Sequence, residues 1–143
     1  MRLTNYTDYA LRVLIFTGAA RETVTISTIS TAYGISKEHL RKVVHQLAHL
    51  GYLNTMQGRN GGLTLGMKPE EINLRAVVEA FEASQLVECF DVKTNTCAIN
   101  GMCKLKHILR DAQQSFLKEL ENYTLNDVVR NPLLQVFVRR KTA

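Results

Sequence analysis

The chain has 143 residues, 45% hydrophobic and 22% charged, which suits one compact unit with a real core. No apolar run approaches the roughly 20 residues of a membrane span. The opening Met1-Arg-Leu-Thr-Asn-Tyr has no apolar signal core either, so a cytoplasmic protein without a membrane partner is expected. Net charge is +5 and unevenly spread. Residues 1–66 carry seven Lys/Arg against three Asp/Glu, residues 67–103 three against six, and residues 104–143 eight against four. The basic first stretch fits a polyanion partner such as nucleic acid, or a solvated cationic surface.

The first helix is expected over residues 7–20, with Thr7 as N-cap and Asp8 at the positive helix start. Leu11, Leu14, Ile15 and Gly18 recur at i, i+3, i+4 and i+7 and predict its inward face. Arg21 and Glu22 read as a turn, and Thr23-Val-Thr-Ile as a short strand segment. Ser27 is the expected cap of a short second helix reaching about Tyr33, ended by Gly34 in the left-handed conformation. Ser36 caps a third helix with Leu40, Val43, Val44, Leu47 and Leu50 on one face, stopped by Gly51. Two helices joined by so tight a glycine-containing turn have the form of a helix-turn-helix. The far face of helix three gives the candidate DNA-facing residues Ser36, Lys37, Glu38, Arg41, Lys42 and His45. His45 and His49 are spaced i, i+4, but the Glu of an H-E-x-x-H is missing, so with His39 they read as DNA-facing or solvated.

Tyr52-Leu-Asn-Thr-Met and Leu63-Thr-Leu read as two strands around Gln57-Gly-Arg-Asn-Gly-Gly62. Asn60-Gly61 predicts a two-residue type I′ hairpin, giving a β-wing with Arg59, Asn60 and Gly61 at its tip. An Arg there suits a narrow minor groove, whose negative potential attracts it. After Lys68-Pro69, Asn73 caps a fourth helix with Leu74, Val77, Val78 and Phe81 inward. A polar, turn-rich loop follows and holds every cysteine of the chain: Cys89, Cys97 and Cys103. From Lys104 a long helix carries Leu105, Ile108, Leu109, Ala112, Phe116 and Leu120 on a narrow stripe, which suits pairing with a second copy or packing within the chain. Thr124 caps a last helix to about Asn131, Pro132 interrupts it, and Val136 onward reads as frayed.

The predicted fold is mainly α with a small β-wing. It divides into a winged helix-turn-helix reading head (1–66), a linker helix with the cysteine loop (67–103) and a dimerisation helix with a C-terminal helix (104–143). An odd cysteine count argues against a disulfide framework and for metal or redox use. The absence of any C-x-x-C removes the usual zinc spacing. Three ordinary thiols and three soft ligands for iron–sulfur, copper(I) or zinc both fit this spacing. No nucleophile–base pair, phosphate loop or paired catalytic carboxylates are present, so an enzyme is not expected.

Three stretches carry a resemblance: Leu3-Thr-Asn-Tyr-Thr-Asp-Tyr-Ala-Leu-Arg12 at the opening, Gly58-Arg-Asn-Gly-Gly-Leu-Thr-Leu-Gly66 at the wing, and Gln114-Ser-Phe-Leu-Lys-Glu-Leu-Glu-Asn-Tyr-Thr-Leu-Asn-Asp-Val128 near the far end. With the order helix-turn-helix, wing, linker helix, three-cysteine loop and long helix, the chain resembles the bacterial winged-helix regulators that carry an iron–sulfur cluster. The far-end stretch is similar to the nitric-oxide-sensing branch in particular. That resemblance implies an intertwined homodimer that represses transcription on double-stranded operator DNA and lets go when nitric oxide attacks its cluster. It implies Cys89, Cys97 and Cys103 as ligands, with Asp8 of the partner subunit completing the set. The cluster implied is 4Fe-4S, with 2Fe-2S as the smaller alternative. Three cysteines leave one iron of a four-iron cube without a thiolate, a corner open to a small diatomic. Lys93, Lys104 and Lys106 around the loop favour thiolate over thiol. A branch that senses iron–sulfur status uses a histidine three residues after the last cysteine, where this chain has Lys106. A cluster-free regulator with directly oxidised thiols is the other reading.

Overall fold

Helix α1 (Asn5–Ala19) is the element around which the others pack in the computed structural model, which describes residues 2–20, 22–59, 61–83 and 85–143. The predicted turn residue Arg21 and the wing residue Asn60 lie outside the described residues. The N-cap of α1 is Thr4 and not the expected Thr7. Thr4 accepts the Thr7 N–H at 3.3 Å, while Thr7 is fully buried and its hydroxyl donates to Glu82 at 2.8 Å. The expected inward face was too narrow as well. Ala10, Val13, Leu14 and Phe16 are all fully buried, whereas Leu11 and Ile15 are only half-buried. The reason is that α1 is covered by the helices Lys37–His49, Leu74–Phe81, Leu125–Val129 and Pro132–Thr142 and by the strand Gly62–Leu65 together.

Helix α2 (Ile26–Tyr33) is capped by Thr25, whose hydroxyl accepts the Thr28 N–H at 3.1 Å, and not by Ser27. The predicted strand around Val24 is a single bridge: Val24 and Leu63 exchange both backbone hydrogen bonds, at 3.1 and 2.7 Å. Helix α3 (Lys37–His49) starts at Ser36 as expected. Strands β1 (Leu53–Met56) and β2 (Gly62–Leu65) pair antiparallel, with Leu53 opposite Leu65 and Met56 opposite Gly62. That register leaves the five residues 57–61 as the connection, so the predicted two-residue hairpin does not form.

Asn73 caps helix α4 (Leu74–Phe81), its side chain accepting the N–H groups of Arg75 and Ala76. Val77, Val78 and Phe81 are buried and Leu74 is half-buried. Helix α5 (Lys104–Glu121) begins directly after Cys103, as the pattern predicted. Helix α6 (Leu125–Val129) is closed by a reciprocal cap between Thr124 and Asp127. Pro132 then opens a further helix, α7 (Pro132–Thr142), instead of ending one. Its missing N–H costs nothing at the first helical position. The end is not frayed: Val138 is buried and Phe137 sits 6.3 Å from the Tyr33 ring. The architecture is mainly α with a two-stranded wing, as the sequence predicted.

Candidate nucleic-acid interface and cysteine segment

The helix-turn-helix is set by local chemistry. Gly34 takes φ 66°, a left-handed conformation that costs glycine little. The Ser30 hydroxyl donates to the Ile35 carbonyl at 2.7 Å, and the Ile35 N–H returns to Ser30 at 3.2 Å, which closes the turn. Ser36 accepts the His39 N–H at 3.2 Å and starts α3. Leu40, Val43, Val44 and Leu47 are buried, but Leu50 is 37% exposed because the helix has ended before it. Ser36, Lys37, Glu38, Arg41, Lys42 and His45 are all exposed on the opposite side. Among the described residues, Arg41, Lys42 and Arg59 enter no ion pair, so these cations stand free for phosphate or base edges. Arg41→Ala should relax preference at one base position, since an Arg paired to guanine is worth ~1–3 kcal/mol of discrimination. Binding-site selection checks this by returning a weakened motif.

The wing is fastened to this unit by the Val24–Leu63 bridge and by the Tyr52 N–H donating to the Leu47 carbonyl at 2.9 Å. Arg59 is exposed at the loop, next to Gly58 at φ 102°. Gly61 tolerates no Cβ, which would run into the Met56 carbonyl. Asn60, the remaining expected wing contact, lies outside the described residues.

Two residues missed by pattern reading tie α1 to α3. The Tyr6 hydroxyl donates to the Lys42 carbonyl at 3.3 Å, and the Tyr9 ring lies 6.4 Å from the His39 ring. A third, Glu82, joins the end of α4 to the start of α1 by accepting the Thr4 N–H and the Thr7 hydroxyl, each at 2.8 Å. These contacts link positions distant in sequence, so no local signal marks them. Asp8 sits in the first turn of α1 with its carboxylate 2.9 Å from Arg12, whose guanidinium also covers the Tyr33 ring at 5.6 Å.

The three thiols are free, Cys97 exposed and Cys89 and Cys103 half-buried. Cys89 lies in a 3-10 turn (Glu88–Phe90), Cys97 precedes a turn closed by its carbonyl and the Asn100 N–H at 3.2 Å, and Cys103 immediately precedes α5. Among the described residues, no three His, Cys, Asp or Glu side chains stand together as a metal site. The donor set nevertheless fits an iron–sulfur cluster in kind, as soft sulfur ligands on one segment. The thiols must converge for ligation. Thr96 holds the Glu88 carboxyl below its ordinary range, chiefly through its hydroxyl and then its N–H. The Lys93 N–H does the same for Asp91. Lys106 donates to the Asn100 side chain at 2.6 Å, which gives this lysine a structural partner in the loop.

A helix-turn-helix with a bonded wing and a solvated, partly cationic outer face defines a winged-helix DNA-binding transcriptional regulator. The chain belongs to the Rrf2 family: the model described as an iron-dependent transcriptional regulator matches residues 3–131. It is 51% identical over 134 residues to the HTH-type transcriptional regulator NsrR of Bacillus subtilis (strain 168), covering 92% of each chain. It is 48% identical to NsrR of Bacillus licheniformis, covering 92% of this chain and 94% of that one. Among solved structures it is similar in fold to Staphylococcus aureus CymR in its oxidized form, with TM-score 0.72, 18% identity and coverage of 92% and 98%. The T. potens IscR structure matches with TM-score 0.70, 19% identity and coverage of 91% and 87%. The protein is thus a regulator and not an enzyme. Among the described residues, no helix is long and apolar enough to cross a membrane.

Proposed function

We propose that this chain is a cytoplasmic, dimeric repressor that holds operator DNA through its reading head (1–66) and releases it when nitric oxide reaches an iron–sulfur cluster. The observation that carries this reading is the segment between α4 and α5. It contains all three cysteines, all free and Cys97 exposed, and it leads straight into α5, none of whose residues is buried. Cys89, Cys97 and Cys103 supply the thiolates. When bound, the cluster supplies iron that reacts with nitric oxide.

The remaining ligand is Asp8 of the partner subunit. Within one chain its carboxylate pairs with Arg12 at i, i+4, an exposed pair worth roughly 0.3–0.5 kcal/mol and easily exchanged. A carboxylate is a harder and weaker ligand for such iron than thiolate, so this link is the easiest to lose. Asp8 is flanked on α1 by Tyr6 and Tyr9, which touch α3. Losing the link therefore disturbs the orientation of the two reading heads, on which two half-sites depend.

The test uses protein made anaerobically with iron and sulfide supplied. Nitric oxide added stepwise should bleach the visible absorbance and release operator DNA in parallel. Asp8→Ala should keep most of the absorbance while uncoupling its loss from DNA release. Wild-type protein that binds neither iron nor sulfide would leave direct thiol oxidation as the better reading.

A further inference from the structure

Seven residues separate Cys89 from Cys97, yet the stretch between them is not slack. Glu88 and Thr96, each the residue immediately before one of these cysteines, are bonded to each other. The Glu88 Oε1 accepts the Thr96 N–H at 2.7 Å and the Thr96 hydroxyl at 2.6 Å. Inside the closed loop, the Asp91 side chain accepts the Lys93 N–H at 2.8 Å, and the Asp91 carbonyl accepts the Asn95 N–H at 3.1 Å. The Asn95 side chain accepts the Cys97 N–H at 3.0 Å. The loop is also docked on α5, with the Arg110 guanidinium 5.4 Å from the Phe90 ring centre.

We infer that Glu88 is a positioning residue: its carboxylate staples the neck of the 89–96 loop so that Cys89 and Cys97 leave the chain as neighbours. Without the staple, bringing two ligands together across a flexible loop costs closure entropy, and holding them together beforehand removes that cost. Glu88 is not itself a ligand in this arrangement. Nothing else in the loop bridges the residues next to these two cysteines among the described side chains. The inference deepens the cluster reading and rests on it for the meaning of the geometry, while the staple itself is tested without any metal.

In a Cys103→Ser background the folded apo-protein offers only Cys89 and Cys97 to a short bismaleimide. Glu88→Ala should slow the intramolecular cross-link about fivefold, the effect of losing roughly one net hydrogen bond. Glu88→Gln keeps an acceptor oxygen and should restore the parent rate. Labelling of each cysteine by a monofunctional maleimide should stay unchanged, which separates position from exposure. An unchanged cross-linking rate in Glu88→Ala overturns the inference. So does a Glu88→Gln variant that behaves like Glu88→Ala, since charge and not the two hydrogen bonds would then set the geometry. After anaerobic reconstitution of the full chain, Glu88→Ala should hold less iron and sulfide and show an altered visible circular dichroism spectrum, and Glu88→Gln should recover both. Wild-type protein that takes up no iron would sink the cluster reading alone, because the cross-linking result still decides the staple.

Discussion

Cys97→Ala is expected to abolish iron and sulfide retention outright. The cluster segment offers three thiols, and no fourth cysteine exists in the chain to replace a missing one. Two thiolates and a carboxylate are a poor set for a soft centre. The fold should be indifferent to the change. Cys97 is exposed, so its removal should leave the apo-protein within about 0.5 kcal/mol of wild type in thermal or denaturant unfolding. DNA binding of the variant should no longer respond to nitric oxide. Iron and sulfide analysis beside the visible spectrum, both under anaerobic conditions, checks the first point, and an unfolding curve checks the second. A wild-type spectrum in Cys97→Ala would remove this residue from the ligand set.

Local signals carried most of the fold. Ser36, Asn73 and Thr124 cap helices as expected because a short polar side chain next to exposed N–H groups needs no help from elsewhere. Gly34 ends α2 for an equally local reason. The failures lie where a distant partner decides. Thr4 and Thr7 compete for one cap, and Thr7 is pulled inward by Glu82, far along the chain. Asn60-Gly61 has the form of a tight hairpin, yet burial of Leu53 and Leu63 and the bridge from Leu63 to Val24 fix another register. Slipping it by one residue would turn Leu63 outward. Pro132 looked like a breaker, but Asn131 caps the helix it begins and Val138 finds a buried place.

The exposure of the candidate site residues was legible in the sequence, and their arrangement was not. The exposed face of α3 and the position of Arg59 followed from periodicity and from the wing. The thiols followed from counting cysteines. The Glu88–Thr96 staple left no mark in the sequence, since a Glu and a Thr eight positions apart in a polar loop meet only by virtue of the loop's path.

Ile108→Glu is expected to turn the dimer into monomers. Helix α5 spans 18 residues and buries none of them within its own chain. Its apolar stripe is divided. Phe116 and Leu117 are half-buried where α5 packs on α4, while Leu105 and Ile108 are 57% and 61% exposed. Val92, Ile99 and Met102 extend the exposed apolar set into the cysteine segment, at 90%, 55% and 83%. Large apolar side chains left this exposed suit an interaction site. A second copy pairing through α5 would bury it on both sides at once, because a two-fold interface presents the same patch twice. A glutamate at 108 would then leave an unpaired charge in the seam, at about 3 kcal/mol per copy. Two copies shift the dimer dissociation constant by about four orders of magnitude. The single chain should still fold, because Ile108 faces solvent in it. Sedimentation should therefore report a 16.2 kDa species for the variant. Binding to a two-half-site operator should be lost with the dimer, since one reading head reaches only one half-site. A variant that sediments as a full dimer would move the seam away from this end of α5.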